Sequence, residues 1–464
     1  MNAWLDRTYF EKLSRQLFDG LKPKEHLSLN LYSESSQFVR LNAAKIRQIG
    51  TVQDALLEMT MIFEAPDGFQ KSVRSLTLCG LSYEDEARAR EALQALRSEV
   101  KELPIDPFAE LPRNDGESRS EVKGELLPID TAVAKILEPL GSAKGPLGSV
   151  KGPLGPSVDI AGIYASGPIV RAMANSSGQT HWFLTEGFSL DYSLYTSSQR
   201  ALKGTFTGTS WDDAGFRNEI DAAKARLTIL EREPRRVPRG AHRTYLAPAA
   251  VANLISMFSW GALSEASIRQ GDSCLRLMRS GERKLSPLFD LSEDFRGGET
   301  PRFNSEGELA PELLPLIEKG EFVNALVSSR SSKEYQTPSN QANASETLRA
   351  PSVAAGTLSE DAILKRLGTG LYLSNLHYLN WSDEAGGRIT GMTRYACFWV
   401  ENGAIVAPIE NMRWDDSLFS LFGTALEELT RSRTYLPSVT SYFMRELGGI
   451  WAPGMLVSAM NFTL

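Results

Sequence analysis

Several residue types and patterns are scarce or missing in this sequence. The chain has only three cysteines, Cys79, Cys274 and Cys397, and they lie far apart. This spacing indicates no disulfide framework and predicts a reducing compartment. No apolar run is long enough to cross a bilayer, and the N-terminal MNAWLDRTYFEKL is amphipathic, unlike a signal peptide. We therefore expect a cytoplasmic protein without a membrane partner.

Histidine is also scarce, and the four that occur lie far apart. A zinc peptidase needs two histidines at helical spacing, a third ligand and a nearby glutamate. The sequence contains neither HExxH nor HExxxH, and it has no Cys-x-x-Cys. It therefore argues against a locally built metal site. A site gathered from distant residues, for example His377 with Cys397 and Asp416, stays open as an alternative.

Other catalytic signatures are missing as well. The sequence has no G-x-S-x-G elbow and no Walker A loop. The carboxylate pairs Asp212-Asp213 and Asp415-Asp416 each precede a predicted helix, where capping and the helix dipole explain them without catalysis. No residue is therefore assigned a catalytic role.

The composition is typical of a soluble globular protein with two domains: 464 residues, of which 42% are apolar and 23% charged. The net charge of −7 argues against general affinity for nucleic acid or anionic membrane. Five arginines cluster at the predicted domain boundary, and we interpret them as an interdomain linker because no aromatic residue is interleaved with them. They are Arg232, Arg235, Arg236, Arg239 and Arg243.

The pattern of the first half predicts an N-terminal strand-and-helix domain over residues 1–235. Alternating apolar residues predict strands, and periodic apolar residues predict helices on both sides of them. Two flexible insertions are expected in this domain. Residues 104–128 are polar and contain proline, and residues 141–157 contain the repeat GPLGSVK. The fold class is thus α+β.

Residues 236–464 are expected to form a β-rich C-terminal domain. Its centre predicts a hairpin with strands at 394–400 and 404–409, because Glu401-Asn402-Gly403 suits a tight turn. Apolar spacing predicts a helix at 416–431.

Two further stretches of this domain carry predictions. Two closing strands are expected in the tail, with turns at Gly448-Gly449 and Pro453-Gly454. The polar stretch near residues 330–355 is expected to be a long loop.

Three segments of the C-terminal half resemble a known family: GTGLYLSNLHYLNWSD from Gly368, RITGMTRYACFWVENGAIVAP from Arg388 and MRWDDSLF from Met412. They are similar to the C-terminal part of the TldD/PmbA proteins, also called peptidase U62, and most similar to the PmbA or TldE branch, once labelled "modulator of DNA gyrase". The resemblance implies the same α+β fold and a dimer around a central cavity.

The resemblance also bears on the metal. TldD-type members are zinc metallopeptidases with HExxxH on a helix and a cysteine ligand near the C-terminus. Here Ser256 and Met257 stand where the first His and the Glu would be, and Gly261 stands near the second His. The matching C-terminal segment, RELGGIWAPGM, has no cysteine. The resemblance therefore implies a subunit with no metal of its own, and zinc only in a TldD-type partner.

A metal-free copy can still bind an extended peptide through strand edges. The segment 371–381 mixes aromatic bodies with polar tips, which suits a ligand-facing wall, although an ordinary sheet is the alternative. The predicted wall residues are Asn375, Tyr378, Trp381, Thr390, Thr393 and Arg394.

The resemblance implies a subunit of a TldD/TldE-type peptidase acting on unfolded peptides, a homodimer in isolation and a heterodimer in the cell. Whether the chain is itself an enzyme stays open. The alternatives are a peptidase active alone through an unrecognised site and a regulator of DNA gyrase.

Overall fold

A computed structural model of the chain describes residues 4–140 and 159–463, and the α+β fold class is confirmed. The predicted insertion at 141–157 lies outside the described residues. Within these ranges, helices and strands alternate in the first half and strands dominate the second.

The first half contains four helices and seven strands among the described residues. In chain order they are α1 (Arg7–Phe18), β1 (Glu25–Asn42), β2 (Lys45–Ala65), β3 (Gly68–Thr77), α2 (Ser82–Glu99), β4 (Ser118–Val122), α3 (Ile129–Leu137), β5 (Asp159–Asn175), β6 (Thr180–Tyr195), β7 (Ala201–Gly208) and α4 (Asp213–Leu230).

The seven strands form one sheet in the order β3-β2-β1-β5-β6-β4, with β7 also paired to β6. Neighbours are antiparallel except β4, which runs parallel to β6. Helices α1 and α2 cover one part of the sheet, because their apolar stripes pack on Leu29, Leu57 and Leu184. Helices α3 and α4 pack over β5, β6 and β7 in a second cluster.

The prediction of a flexible insertion at 104–128 is wrong in part. Ser118–Val122 forms β4, which extends the sheet beside β6. The preceding segment is held by the second half of the chain, since Asp106 pairs with Arg330 at 2.9 Å. A polar composition indicated exposure, but it did not exclude a short edge strand.

The second half is β-rich, as expected. Its elements are β8 (Gly240–Leu246), α5 (Pro248–Ser256), α6 (Glu265–Gln270), α7 (Arg276–Arg279), β9 (Leu291–Asp294), β10 (Leu313–Glu318), β11 (Glu321–Phe322), α8 (Ser329–Tyr335), β12 (Pro351–Val353), α9 (Ile363–Leu367), β13 (Gly370–Leu373), β14 (Asn375–Asp383), β15 (Arg388–Arg394), β16 (Phe398–Glu401), β17 (Ala404–Pro408), β18 (Arg413–Ser417), β19 (Leu426–Pro437) and β20 (Gly449–Phe462).

A second sheet joins thirteen described strands. Its main path is β11-β10-β9-β12-β20-β8-β13-β16-β17, and β14, β15, β18 and β19 attach through β20. Helix α5 packs on this sheet and lies in the largest hydrophobic core of the described residues. Leu254, Phe258 and Phe422 are buried in this core. The connection between α4 and β8 contains residue 235, and the division into two domains there stays a prediction.

The predicted hairpin is confirmed at its turn and wrong in its first strand. Asn402 and Gly403 have φ of 51° and 77°, and β17 returns from them. The stretch 394–400 is broken instead, because Tyr395 adopts a φ of 64°. As a result β15 pairs with β14 and β18, whereas β16 pairs with β13 and β17.

The predicted helix at 416–431 is wrong. Asp416 belongs to β18, a short helical turn covers 420–424, and β19 begins at Leu426. Leu421, Phe422, Leu426 and Leu429 are all buried. Where the residues of a short apolar stretch are all buried, spacing does not separate helix from strand.

The predicted turn at Pro453-Gly454 is also wrong, because both residues lie inside β20. A side chain at Gly454 would collide with the Tyr245 hydroxyl, so glycine serves close packing here.

The polar stretch near 330–355 is ordered rather than a free loop. It contains part of α8 and all of β12, and the buried carboxylate of Glu346 organises it. Glu346 accepts hydrogen bonds from the hydroxyls of Ser264 and Ser328 and from the backbone N–H of Ala266.

Candidate peptide-binding site

Strands β14, β15 and β18 form a three-stranded part of the second sheet, and they carry most of the predicted wall. Asn375 lies opposite Arg394, and Asn380 lies opposite Thr390. Thr390 in turn lies opposite Asp415. Directly opposite residues share one face of a sheet, so these side chains lie together.

We call this the polar face. Its members are exposed or half-buried and, apart from one methionine, polar. They are Asn375, His377, Asn380, Asp383, Arg388, Thr390, Met392, Arg394, Arg413, Asp415 and Ser417. Three of the six predicted wall residues, Asn375, Thr390 and Arg394, are thus brought together.

Two predicted wall residues lie on the other face of the same strands. Thr393 is 1% exposed, and its hydroxyl accepts the backbone N–H of Met412 at 2.9 Å. Trp381 packs against the core around α5 and donates its indole N–H to the carbonyl of Trp260 at 3.3 Å. Both side chains therefore support the fold beneath the polar face.

The sixth predicted residue, Tyr378, lies in an irregularity of β14, where the pairing shifts between His377 and Asn380. Its φ is 50° and its side chain is 73% exposed. The ring lies against that of His377 at a tilt of 47°, with centroids 4.1 Å apart. Burial, and to a smaller extent the positive charge of Arg394, lowers the pKa of His377.

Helix α5 lies beside the outer edge of β14. Asn253 accepts the backbone N–H of Leu376 through its side-chain oxygen at 3.1 Å, which occupies the first backbone donor of this edge. From Tyr378 to Asp383, β14 pairs only with β15 among the described strands. Only this part of the edge is therefore available to an added strand.

The residues of α5 and its continuation do not fit a zinc ion. The Ser256 hydroxyl donates to the carbonyl of Asn253 at 2.7 Å, and the Met257 side chain is 1% exposed. Gly261 has no side chain and lies beyond the helix at a φ of 86°. Zinc prefers imidazole, thiolate and carboxylate ligands, and these three positions supply none.

The alternative site built from distant residues is not assembled. Cys397 is buried and its thiol donates to the Arg394 carbonyl at 3.2 Å, while Asp416 accepts the backbone N–H groups of Ser417 and Asn461. Across residues 4–140 and 159–463, no three side chains of His, Cys, Asp or Glu are grouped to hold a metal.

Three of the five linker arginines form salt bridges with carboxylates. Arg235 pairs with Glu401 and stacks on Trp399, with 4.7 Å between its guanidinium and the ring centroid. Arg243 pairs with Glu427, and Arg236 lies 3.5 Å from Glu410. These contacts tie the linker to the second sheet and agree with its structural interpretation.

Arg413 and Asp415 were missed as site residues because 416–431 was taken for a helix. Asp415 pairs with Arg388, and Arg413 donates to the Thr390 hydroxyl at 3.2 Å. The sequence MRWDDS indicates a strand, because buried and accessible residues alternate along it. Met412, Trp414 and Asp416 are buried, so Arg413 and Asp415 lie on the accessible face.

No helix in the described ranges is both long and apolar enough to pass through a lipid bilayer.

Comparison with known proteins gives a family and a fold. Residues 239–464 match the family described as PmbA/TldA metallopeptidase C-terminal domain. No curated protein matches the chain.

Three solved structures share the fold over 98% of this chain. A candidate modulator of a DNA gyrase from Thermotoga maritima is 15% identical, is covered over 100% of its length and has a TM-score of 0.71. A second, from Bacteroides thetaiotaomicron, is 13% identical, is covered over 98% and has a TM-score of 0.73. TldE from Thermococcus kodakarensis is 14% identical, is covered over 100% and has a TM-score of 0.73. The second half of this chain thus matches the PmbA/TldA metallopeptidase C-terminal domain, and 98% of the chain shares the fold of TldE and of the two candidate gyrase modulators.

Proposed function

We propose that this chain is the metal-free subunit of a TldD/TldE-type metallopeptidase, and that it helps to hold unfolded peptides for a zinc-bearing partner. In isolation it forms a homodimer, and in the cell it pairs with the TldD-type subunit. The chain has no catalytic residue of its own in this proposal.

The chemistry at the end of α5 carries the proposal. Ser256, Met257 and Gly261 occupy the positions of the family's metal motif, yet a hydroxyl used by its own helix, a buried thioether and a glycine do not bind zinc. The family is described by its metallopeptidase domain. A member without ligands at this helix needs another chain to activate water.

The surroundings of α5 support a role in peptide binding. The outer edge of β14 begins beside this helix, where Asn253 binds the backbone N–H of Leu376. The polar face lies on the side of β14, β15 and β18 that points away from the core around α5. An extended peptide offers backbone donors and acceptors to a strand edge and side chains to the neighbouring face. The site can thus hold a chain without cutting it.

The decisive experiment is co-purification of the tagged full-length chain from the organism that encodes it, followed by elemental analysis. We expect a second polypeptide with a zinc-binding HExxxH helix, about one zinc per pair, and peptidase activity on unfolded casein. The chain alone should contain less than one tenth of that zinc and show no activity.

Two results would overturn this proposal. One is stoichiometric zinc in the chain purified alone, with hydrolysis that a chelator abolishes, which would establish the self-sufficient peptidase. The other is recovery of gyrase subunits in place of a peptidase, with altered supercoiling activity.

A further inference from the structure

Two arginines of the polar face have no acidic partner within the described residues. Arg394 and Arg413 make no salt bridge there, whereas Arg388 on the same face is neutralised by Asp415. Arg413 is exposed and Arg394 half-buried. The other carboxylate of the face, Asp383, lies opposite Arg388, at the far end from Arg394. The Arg394 end of the face therefore carries two positive charges without an acidic partner, on a protein whose net charge is −7.

The register of the strands fixes the spacing of these charges. Arg413 lies opposite Met392, and Arg394 lies two residues from Met392 on the same strand. The two arginines are thus diagonal neighbours, about 7–8 Å apart at their Cα atoms. Met392 lies between them and offers an apolar contact.

An extended peptide places side chains at the same interval. Residues i and i+2 of a strand point to one side and are separated by about 7 Å. Carboxylates at these two positions can each meet one guanidinium, and guanidinium is the side chain best shaped for a carboxylate. Adjacent carboxylates cannot do so, because they point to opposite sides.

We propose that the polar face selects acidic segments of extended peptides, in which carboxylate side chains alternate with other residues and bind Arg394 and Arg413. The proposal rests on the proposed function, because it names the substrate class for the same peptide site. Tyr378, exposed within β14 beside His377, offers an apolar surface to a neighbour of the acidic residues.

The test is fluorescence anisotropy of the full chain with three dye-labelled decapeptides. One alternates Glu with Ser, the second has the same composition with the Glu residues in adjacent pairs separated by two Ser residues, so that no two Glu stand at positions i and i+2, and the third replaces Glu by Gln. We expect the alternating peptide to bind about fivefold or more tighter than the Gln peptide, and tighter than the peptide with paired Glu residues. Its affinity should fall as salt rises from 50 to 200 mM.

The variants R394Q and R413Q should each remove much of this preference. R394K, which keeps the charge, should retain part of it. The control R74Q lowers the net charge equally but lies on β3, where Arg74 pairs with Glu99, and it should bind like the wild type. The comparison of the three peptides on the wild type needs no variant, so it stands even if a variant folds poorly.

Equal binding of the three peptides would overturn the inference, as would an effect of R394Q no larger than that of R74Q. Displacement of the peptide by a mixed-sequence oligonucleotide at lower concentration than by unlabelled peptide would overturn it in favour of a phosphate site. A change of oligomeric state in R394Q would overturn it in favour of an interface between copies.

The two proposals fail separately. If the chain prefers the alternating acidic peptide but no zinc-bearing partner co-purifies, this inference stands and the proposed function is overturned. If a zinc-bearing partner co-purifies but the chain shows no preference for the acidic peptide, the proposed function stands and this inference is overturned.

Discussion

Arg445 donates its backbone N–H to the carboxylate of Glu34 at 2.7 Å, joining residues 411 positions apart in sequence. Its guanidinium donates to the Ser36 hydroxyl and to the carbonyl oxygens of Gly167 and Gly187. Glu34 is 5% exposed, so this contact fastens the loop between β19 and β20 to the first sheet with a buried charge.

Replacing Arg445 by methionine should lower the free energy of unfolding by about 1–3 kcal/mol, because the Ser36 hydroxyl and the two glycine carbonyl oxygens lose a part-buried donor, while the backbone N–H still binds Glu34. Urea denaturation at pH 7 measures this. The control R7Q breaks an exposed pair with Glu11 on α1 and should cost less than about 1 kcal/mol. Equal losses in the two variants would show that the contact contributes little.

His181 makes a second link between the halves of the chain. Its Nε2 lies 2.9 Å from the Gly307 carbonyl, its Nδ1 lies 2.8 Å from the Ser118 hydroxyl, and its ring stacks on Phe303. The residue is 1% exposed. Burial lowers the pKa of His181, although the hydrogen bond to Gly307 opposes the shift.

A histidine whose pKa is depressed by folding makes stability depend on pH below about 6.5. Above that value both states are neutral; below it the unfolded state binds a proton that the folded state resists. The wild type should therefore lose up to about 2 kcal/mol between pH 7 and 5. The variant H181Q should lack this part of the slope, and urea titrations at four pH values compare the two. Parallel slopes would contradict the expectation.

The tip of the β1–β2 hairpin is built from two alanines with φ of 50° and 53°, Ala43 and Ala44. Left-handed backbone costs an alanine about 1 kcal/mol or more, and Asn-Gly suits this turn. The double variant A43N/A44G should raise the thermal midpoint, with a gain of about 1 kcal/mol. The control A404G places glycine at an exposed position of β17 and should lower the midpoint. A drop in the hairpin variant would show that neighbouring contacts require the alanines.

The sequence predicted those helices and turns whose conformation depends mainly on residues within the same short segment. The stripe of Ile220, Ala223 and Leu227 predicted α4, and Asn402-Gly403 predicted the turn after β16. It failed at 416–431, where apolar side chains are buried on every side and spacing carries no information. It also failed at β4, whose partner β6 lies more than sixty residues away.

The site was predicted in the same uneven way. Asn375, Thr390 and Arg394 were recognised as polar residues among aromatics, and the structure places them together. Arg413 could not be found, since its position depends on β18 pairing with β15 rather than starting a helix. Thr393 was predicted in the wall as well, but its position in β15 turns its side chain to the buried face.

Thr390 and Thr393 now form a matched pair that tests which face binds peptide. The Thr393 hydroxyl accepts the buried N–H of Met412, so T393V should cost about 1–3 kcal/mol in unfolding free energy while leaving peptide affinity unchanged. The Thr390 hydroxyl holds Arg413, and T390V should cost less than about 1 kcal/mol but weaken binding of the alternating acidic peptide about twofold or more. Urea denaturation and anisotropy on both variants give the four values. Weaker peptide binding in T393V with unchanged stability would place the site on the opposite face and restore Thr393 to it.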